Sequence, residues 1–215
     1  MELSVQKTII KIFELWKKSY ISLFPFTLLS ILFFNSSFFP GNYLLALLMI
    51  IPGLYCYNII LLKLSSIVQQ TLTTNDIYFV ALKRLPNMLL FFISLAILGT
   101  TLVGLMYLTL GLIAALLSVL VLLIFYSCLL FSYPMIVIDG LSPLVAIKKS
   151  YAFINKHVWY VTGIFLIASI TQVIFFGIFA IVIGLNAGAI LYNLLFTTFN
   201  LALIVVLLDN SKKTS

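Results

Sequence analysis

Apolar residues fall in six long runs, each close to the roughly 20 residues a helix needs to cross about 30 Å of hydrocarbon. The runs cover residues 21–39, 44–62, 88–108, 110–131, 159–183 and 189–208. Three connections are short and uncharged: Pro40-Gly41-Asn42, a break between Thr109 and Gly111, and Gly184-Leu185-Asn186-Ala187-Gly188. Gly, Pro and Asn at these points read as turns, so the runs pair into hairpins. The remaining connections are longer and carry the charges.

A second pattern precedes each hairpin. Val5, Ile9, Ile12, Phe13, Trp16 and Tyr20 share one helical face, and Lys7, Lys11, Glu14 and Lys18 share the other. Ile77, Ala81 and Leu85 oppose Lys83 and Arg84, while Leu144, Ile147, Tyr151, Ile154 and Val158 form a stripe that leaves Lys148, Lys149 and Lys156 off it. Such spacing marks amphipathic helices. The basic pairs Lys17-Lys18, Lys83-Arg84 and Lys148-Lys149 recur at near-equal intervals, a weak internal repeat. The reading is an all-α polytopic membrane protein in a single integral membrane domain, with six transmembrane helices and three cytoplasmic amphipathic interfacial helices. Its approximate repeats are 1–69, 70–134 and 135–208, followed by a short polar tail, 209–215.

Local signals support the surface helices. Ser142-Pro143 offers an N-cap followed by proline at the first helical position, and Thr74-Asn75-Asp76 offers caps plus a carboxylate at the positive helix end. Trp16 and Trp159 stand at the expected water boundary, where indole buries its ring and keeps its N–H wet. Pro25 and Pro52 are candidate kinks. Thr100 with Gly104 and Gly111 with Ala115 are small residues four apart expected to allow close helix approach, and Gly163 and Gly177 thin the fifth span.

Composition removes the alternatives to a membrane protein. The 215 residues are 64% hydrophobic and 8% charged, whereas soluble domains average about 45–50% and about 25%. With Gly 10, Pro 6 and Cys 2, neither a collagen-like repeat nor a disulfide scaffold fits. All 12 basic residues lie before run one, between two and three, between four and five, or after run six, with the acids on the same side. The positive-inside bias then places both termini in the cytoplasm. A cleaved signal peptide fits poorly, because the polar region before Ile21 is long and residues 33–38 lack a small-residue cleavage site.

Reactive groups are sparse. His157 is the sole histidine and reads as a boundary residue, and the five acids are scattered rather than paired. No nucleophile elbow, zinc-protease helix or phosphate-binding loop is present. Cys56 and Cys128 are isolated thiols flanked by apolar residues and read as packing groups. No cofactor or metal is expected, and the chain reads as non-enzymatic. Inside the runs, Asn58, Gln172, Asn193, Thr197 and Asn200 are polar, and the last three share one face of run six. They suit interhelical hydrogen bonds or a pathway for a small solute or lipid.

From Tyr133 to Tyr151 the sequence resembles the YciC-like group of bacterial inner-membrane proteins, and more loosely the membrane domain of some glycerophosphodiester phosphodiesterases. The matching residues are Pro134, an apolar strand-like stretch leading to Asp139-Gly140, then Ser142-Pro143, Ala146, Lys148 and Ser150, with His157-Val158-Trp159 opening the next span. The resemblance implies an inner-membrane protein and brings no catalytic residues. Taken together, the chain is expected to bind or organise lipids or a membrane protein partner in envelope maintenance. The candidate surface is Lys17, Lys18, Lys83, Arg84, Lys148, Lys149 and Lys156. The expected partners are the bilayer and its anionic phospholipids, with a membrane protein or a second copy of the chain also possible and no nucleic acid. The alternative is a small-solute or lipid transporter or channel using the polar face.

Overall fold

The structure is a computed structural model that describes residues 4–34, 43–69, 74–110 and 130–212. Every regular element among them is a helix: α1 (Val5–Phe34), α2 (Tyr43–Gln69), α3 (Thr74–Leu110), α4 (Ser132–Asp139), α5 (Pro143–Lys156), α6 (Val158–Ile183) and α7 (Leu185–Lys212). A helix satisfies its own backbone groups, which an apolar solvent requires. Four stretches are long and apolar enough to cross a membrane: Leu48–Gln69, Asp76–Thr101, Val158–Ile183 and Ala187–Asn210. The chain is thus a helical membrane protein. Run one is described as far as Phe34, as the second half of α1, while most of run four and Cys128 lie outside the described residues.

The chain divides into two units, Met1–Leu82 with His157–Ser215, and Lys83–Lys156. In the first, α1 packs against α2, α6 and α7, and α7 also packs against α2 and α6. Leu201 to Asp209 of α7 are all buried, as are Asn58 to Leu62 of α2. The inward stripe of α1 is Thr8, Ile12, Leu15, Ser19, Leu23, Thr27 and Ser30. This stripe is rotated from the aromatic face that hydrophobicity picks out, and Phe13 is exposed. The reason is size: Ser19, Thr27 and Ser30 let helices approach while their hydroxyls bond to carbonyls of their own helix at 2.7, 3.0 and 2.8 Å.

The second unit holds the rest of α3, with α4 packed on α5. Ser132 to Val137 are buried, and Phe131 meets Phe153 edge-on at 5.0 Å. The stretch expected to be strand-like is therefore the short helix α4. Pro134 is accommodated in its first turn, where amide protons have no intrahelical acceptor. Gly140 ends the helix in the left-handed conformation (φ 68°), and the Arg84 guanidinium occupies the space a Cβ would need.

Other expectations change with the structure. The first two amphipathic segments are continuous with the spans that follow, in α1 and α3; only α5 is a separate helix. It begins at Pro143, and the Ser142 carbonyl accepts the Ala146 amide at 2.9 Å. Pro25, Pro52 and Pro86 lie inside helices without ending them; α3 ends at Leu110, and the rest of the expected break from Gly111 on lies outside the described residues. Among the described residues, nothing lies within 4 Å of a Cβ placed at Gly104, Gly163 or Gly177. A close helix approach is made at Gly188, where a Cβ would stand 2.9 Å from the Phe179 carbonyl carbon. The α6–α7 turn narrows to one residue, Gly184, at φ 84°.

Candidate functional site

The basic candidates divide between the two units. In the second, α5 has three faces set by helical geometry. Ala146, Ser150 and Phe153 point inward and are buried. Leu144, at 74% exposed, and Tyr151, at 58%, lie on the apolar stripe, which faces outward. Lys148, Lys149 and Lys156 line the remaining face and are exposed. An exposed apolar stripe beside a basic face suits a membrane surface, where rings and methyls enter the acyl boundary and ammonium groups meet phosphates. Lys83 is exposed, whereas Arg84 is half-buried against Gly140. The Arg84 Nε is buried and has no hydrogen-bond partner among the described residues.

In the first unit, Lys17 and Lys18 are exposed on α1. Lys63 is half-buried in α2, its Nζ 4.4 Å from the centre of the Phe26 ring and 5.8 Å from that of Tyr78. Aromatic faces attract an ammonium, so this lysine is held by rings.

The intramembrane polar candidates do not form one site. Gln172 and Asn200 pair reciprocally across α6 and α7: Gln172 Nε2 donates to Asn200 Oδ1 at 2.7 Å, and Asn200 Nδ2 donates to Gln172 Oε1 at 3.2 Å. Tyr192 also donates to Gln172 Oε1 at 2.8 Å. Asn58 is fully buried elsewhere and donates to the Ala81 carbonyl at 3.2 Å. Asn193 is exposed and Thr197 half-buried on α7.

The most connected polar group joins α1, α6 and α7, and sequence reading missed it. Thr8 Oγ1 and the Tyr160 hydroxyl share a 2.6 Å hydrogen bond, and Asn210 Nδ2 donates to both at 3.1 and 3.2 Å. One turn along α1, Lys11 Nζ contacts Asp209 Oδ2 at 2.7 Å. The Asp209 side chain is only 8% exposed, against 37% for Lys11. Higher up, Trp16 Nε1 donates to Thr198 Oγ1 at 3.2 Å, and the Phe13 and Trp16 rings meet Phe199 at 5.3 and 6.0 Å. The one available signal was Asp209, an acid ending the run Leu201 to Leu208 and so requiring a cation.

Compared with known proteins, the chain matches no family model, and neither curated proteins nor solved structures show a match to it. Among the described residues, no three His, Cys, Asp or Glu side chains are grouped to hold a metal ion.

Proposed function

We propose that this chain is a non-enzymatic, multi-pass protein of a bacterial inner membrane that binds and organises anionic lipids or a membrane protein partner through its basic surface, in envelope maintenance. The single observation that carries the reading is α5, whose exposed Leu144 and Tyr151 run beside exposed Lys148, Lys149 and Lys156. Each basic residue near an anionic leaflet contributes about 1 kcal/mol, so such a face favours phosphatidylglycerol or cardiolipin over neutral lipid. The YciC-like character of residues 133–151 and the six apolar runs, read as six spans with interfacial helices, agree with this setting. The distribution of lysines supports cytoplasmic termini, and the contact between Thr8 and Asn210 puts both ends of the described chain at the same end of the first unit.

The test is Lys148→Glu with Lys149→Glu, assayed by native mass spectrometry from nanodiscs of mixed phosphatidylcholine and phosphatidylglycerol. Loss of selectively retained anionic lipid is expected. Unchanged lipid and partner association with preserved topology overturns the proposal. The transporter alternative depends on the polar face of α7, where the mutual pairing of Gln172 and Asn200 favours a structural role.

A further inference from the structure

The first half of α1 does not lie apart from the bundle; it runs alongside α6 and α7. Its position is fixed at the lower end by Thr8 on Tyr160 and Asn210, and higher up by Trp16 on Thr198. Between these, Ile12, Ile164 and Leu203 line a common apolar cavity. Thr198 is near the middle of the membrane-crossing stretch Ala187–Asn210. It stands twelve residues from Asn210, about 18 Å along a helix. Lys17 and Lys18, which follow Trp16, are therefore at mid-span depth. Together with Lys7 and Glu14 they are exposed on the outward side of α1.

At the same depths α6 presents a different surface. Trp159 is 87% exposed at its start, in the position of an interfacial anchor, and Leu166 (59%) and Ile170 (53%) are exposed above it. One side of the unit thus asks for hydrocarbon from Trp159 upward, whereas α1 carries exposed lysines, interleaved with the exposed Ile10 and Phe13, up to Lys18, beyond which its exposed residues carry no charge. A lysine at the centre of a bilayer is costly to insert, and the cost is relieved by snorkelling and local thinning. Lysine stems on α1 lean toward its N-terminus, and so toward the Thr8 end, but this reach is shorter than the depth to be covered.

We infer that the cytoplasmic leaflet dips beside α1, and that phospholipid headgroups follow it from Lys7, level with Trp159, up to Lys17 and Lys18, at a depth where α6 is still covered by acyl chains. The excess of lysine over the lone Glu14 selects anionic headgroups as the occupant. On the same side, Ile21 is 86% exposed just past Lys18, which marks where hydrocarbon resumes. The inference rests on the proposed role as a lipid-binding membrane protein and assigns it a second place on the molecule.

The experiment uses the full chain with Cys56→Ala and Cys128→Ala, reconstituted in phosphatidylcholine–phosphatidylglycerol vesicles containing a trace of nickel-chelating lipid. Single cysteines are introduced as Lys18→Cys, Lys7→Cys, Trp159→Cys and Ile170→Cys, spin-labelled, and read for relaxation by headgroup nickel and by oxygen. The labels at 7, 18 and 159 are expected to sense nickel several-fold more strongly than the label at 170, which senses oxygen. Oxygen alone at residue 18 means a flat leaflet and overturns the inference. Nickel at both 18 and 170 means the interface lies higher everywhere, and also overturns it. Neither probe reaching 18 means that protein, a partner or a second copy, covers the stripe, which overturns the choice of occupant. Lys17→Cys, exposed at the same depth, provides an independent site should Lys18→Cys fail to fold. Loss of lipid selectivity at α5 alone leaves these readouts unchanged, so the two proposals fail separately.

Discussion

Two arms of one hairpin, α6 and α7, differ more in their surroundings than in their composition. They are joined by Gly184 alone, and their most apolar stretches have mean hydropathies of 2.5 and 2.1. Yet 6% of that stretch is buried in α6 and 56% in α7. The more apolar arm lies outside and the less apolar arm inside, the reverse of a water-soluble bundle. Apolar side chains gain little by choosing helix neighbours over lipid tails, so position is decided by small residues, close packing and polar groups that need partners. α7 has Thr198, Asn200, Asp209 and Asn210, all bonded to α1 or α6.

The comparison can be broken most forcefully at the ion pair. Lys11→Met removes the ammonium that stands 2.7 Å from the largely buried Asp209 carboxylate, and a loss near the lower end of roughly 3–5 kcal/mol is expected in mixed-micelle unfolding. Asp209→Asn costs less, because Lys11 retains access to solvent. A reversed order would mean that α7 is not enclosed at that level.

Next in size is truncation. Leu207→Ala, at a fully buried site in α7, should cost about 2 kcal/mol or more, whereas Ile174→Ala, at 57% exposure on α6, should stay under about 1 kcal/mol in the same assay. Equal losses would remove the distinction between the arms.

Smaller again is the backbone contact. Gly188→Ala puts a methyl against the Phe179–Ala180 backbone and should lower stability by about 1–3 kcal/mol. Gly163→Ala and Gly177→Ala, facing open space, should be close to neutral in a thermal shift. The finest test is a double-mutant cycle of Gln172→Leu and Asn200→Leu. Its coupling energy should be about 0.6 kcal/mol, the mean for such bonds within membranes.

These differences also explain what could be read in advance. The helical class and the spans seen in α2, α3, α6 and α7 follow from run length, and the Pro143 start of α5 follows from cap chemistry. In α3, Ile77, Ala81 and Leu85 are buried as their spacing requires. Hydrophobic periodicity failed on α1 because Thr8, Ser19, Thr27 and Ser30 form its inward stripe, and a hydrophobicity scale scores them as outward. It failed on residues 135–138 because β-branched residues resemble a strand when the helix containing them is short. Exposure of Lys17, Lys18, Lys83, Lys148, Lys149 and Lys156 was legible residue by residue, whereas the half-burial of Arg84 against Gly140 was not. The Thr8–Tyr160–Asn210 group was not, since nothing local links positions so far apart in the chain.

That separation bears on how the protein is made. Lys11 finds its partner 198 positions later and Thr8 finds Asn210 after 202. During synthesis α1 leaves the ribosome well before the residues that complete its binding site on α7. Over that interval its hydroxyl-lined inner stripe must be held by α2, by lipid or by an insertion factor. Closure of the bundle waits for the α7 residues, and a chain stalled before Asp209 would leave α1 undocked and open to membrane quality-control proteases.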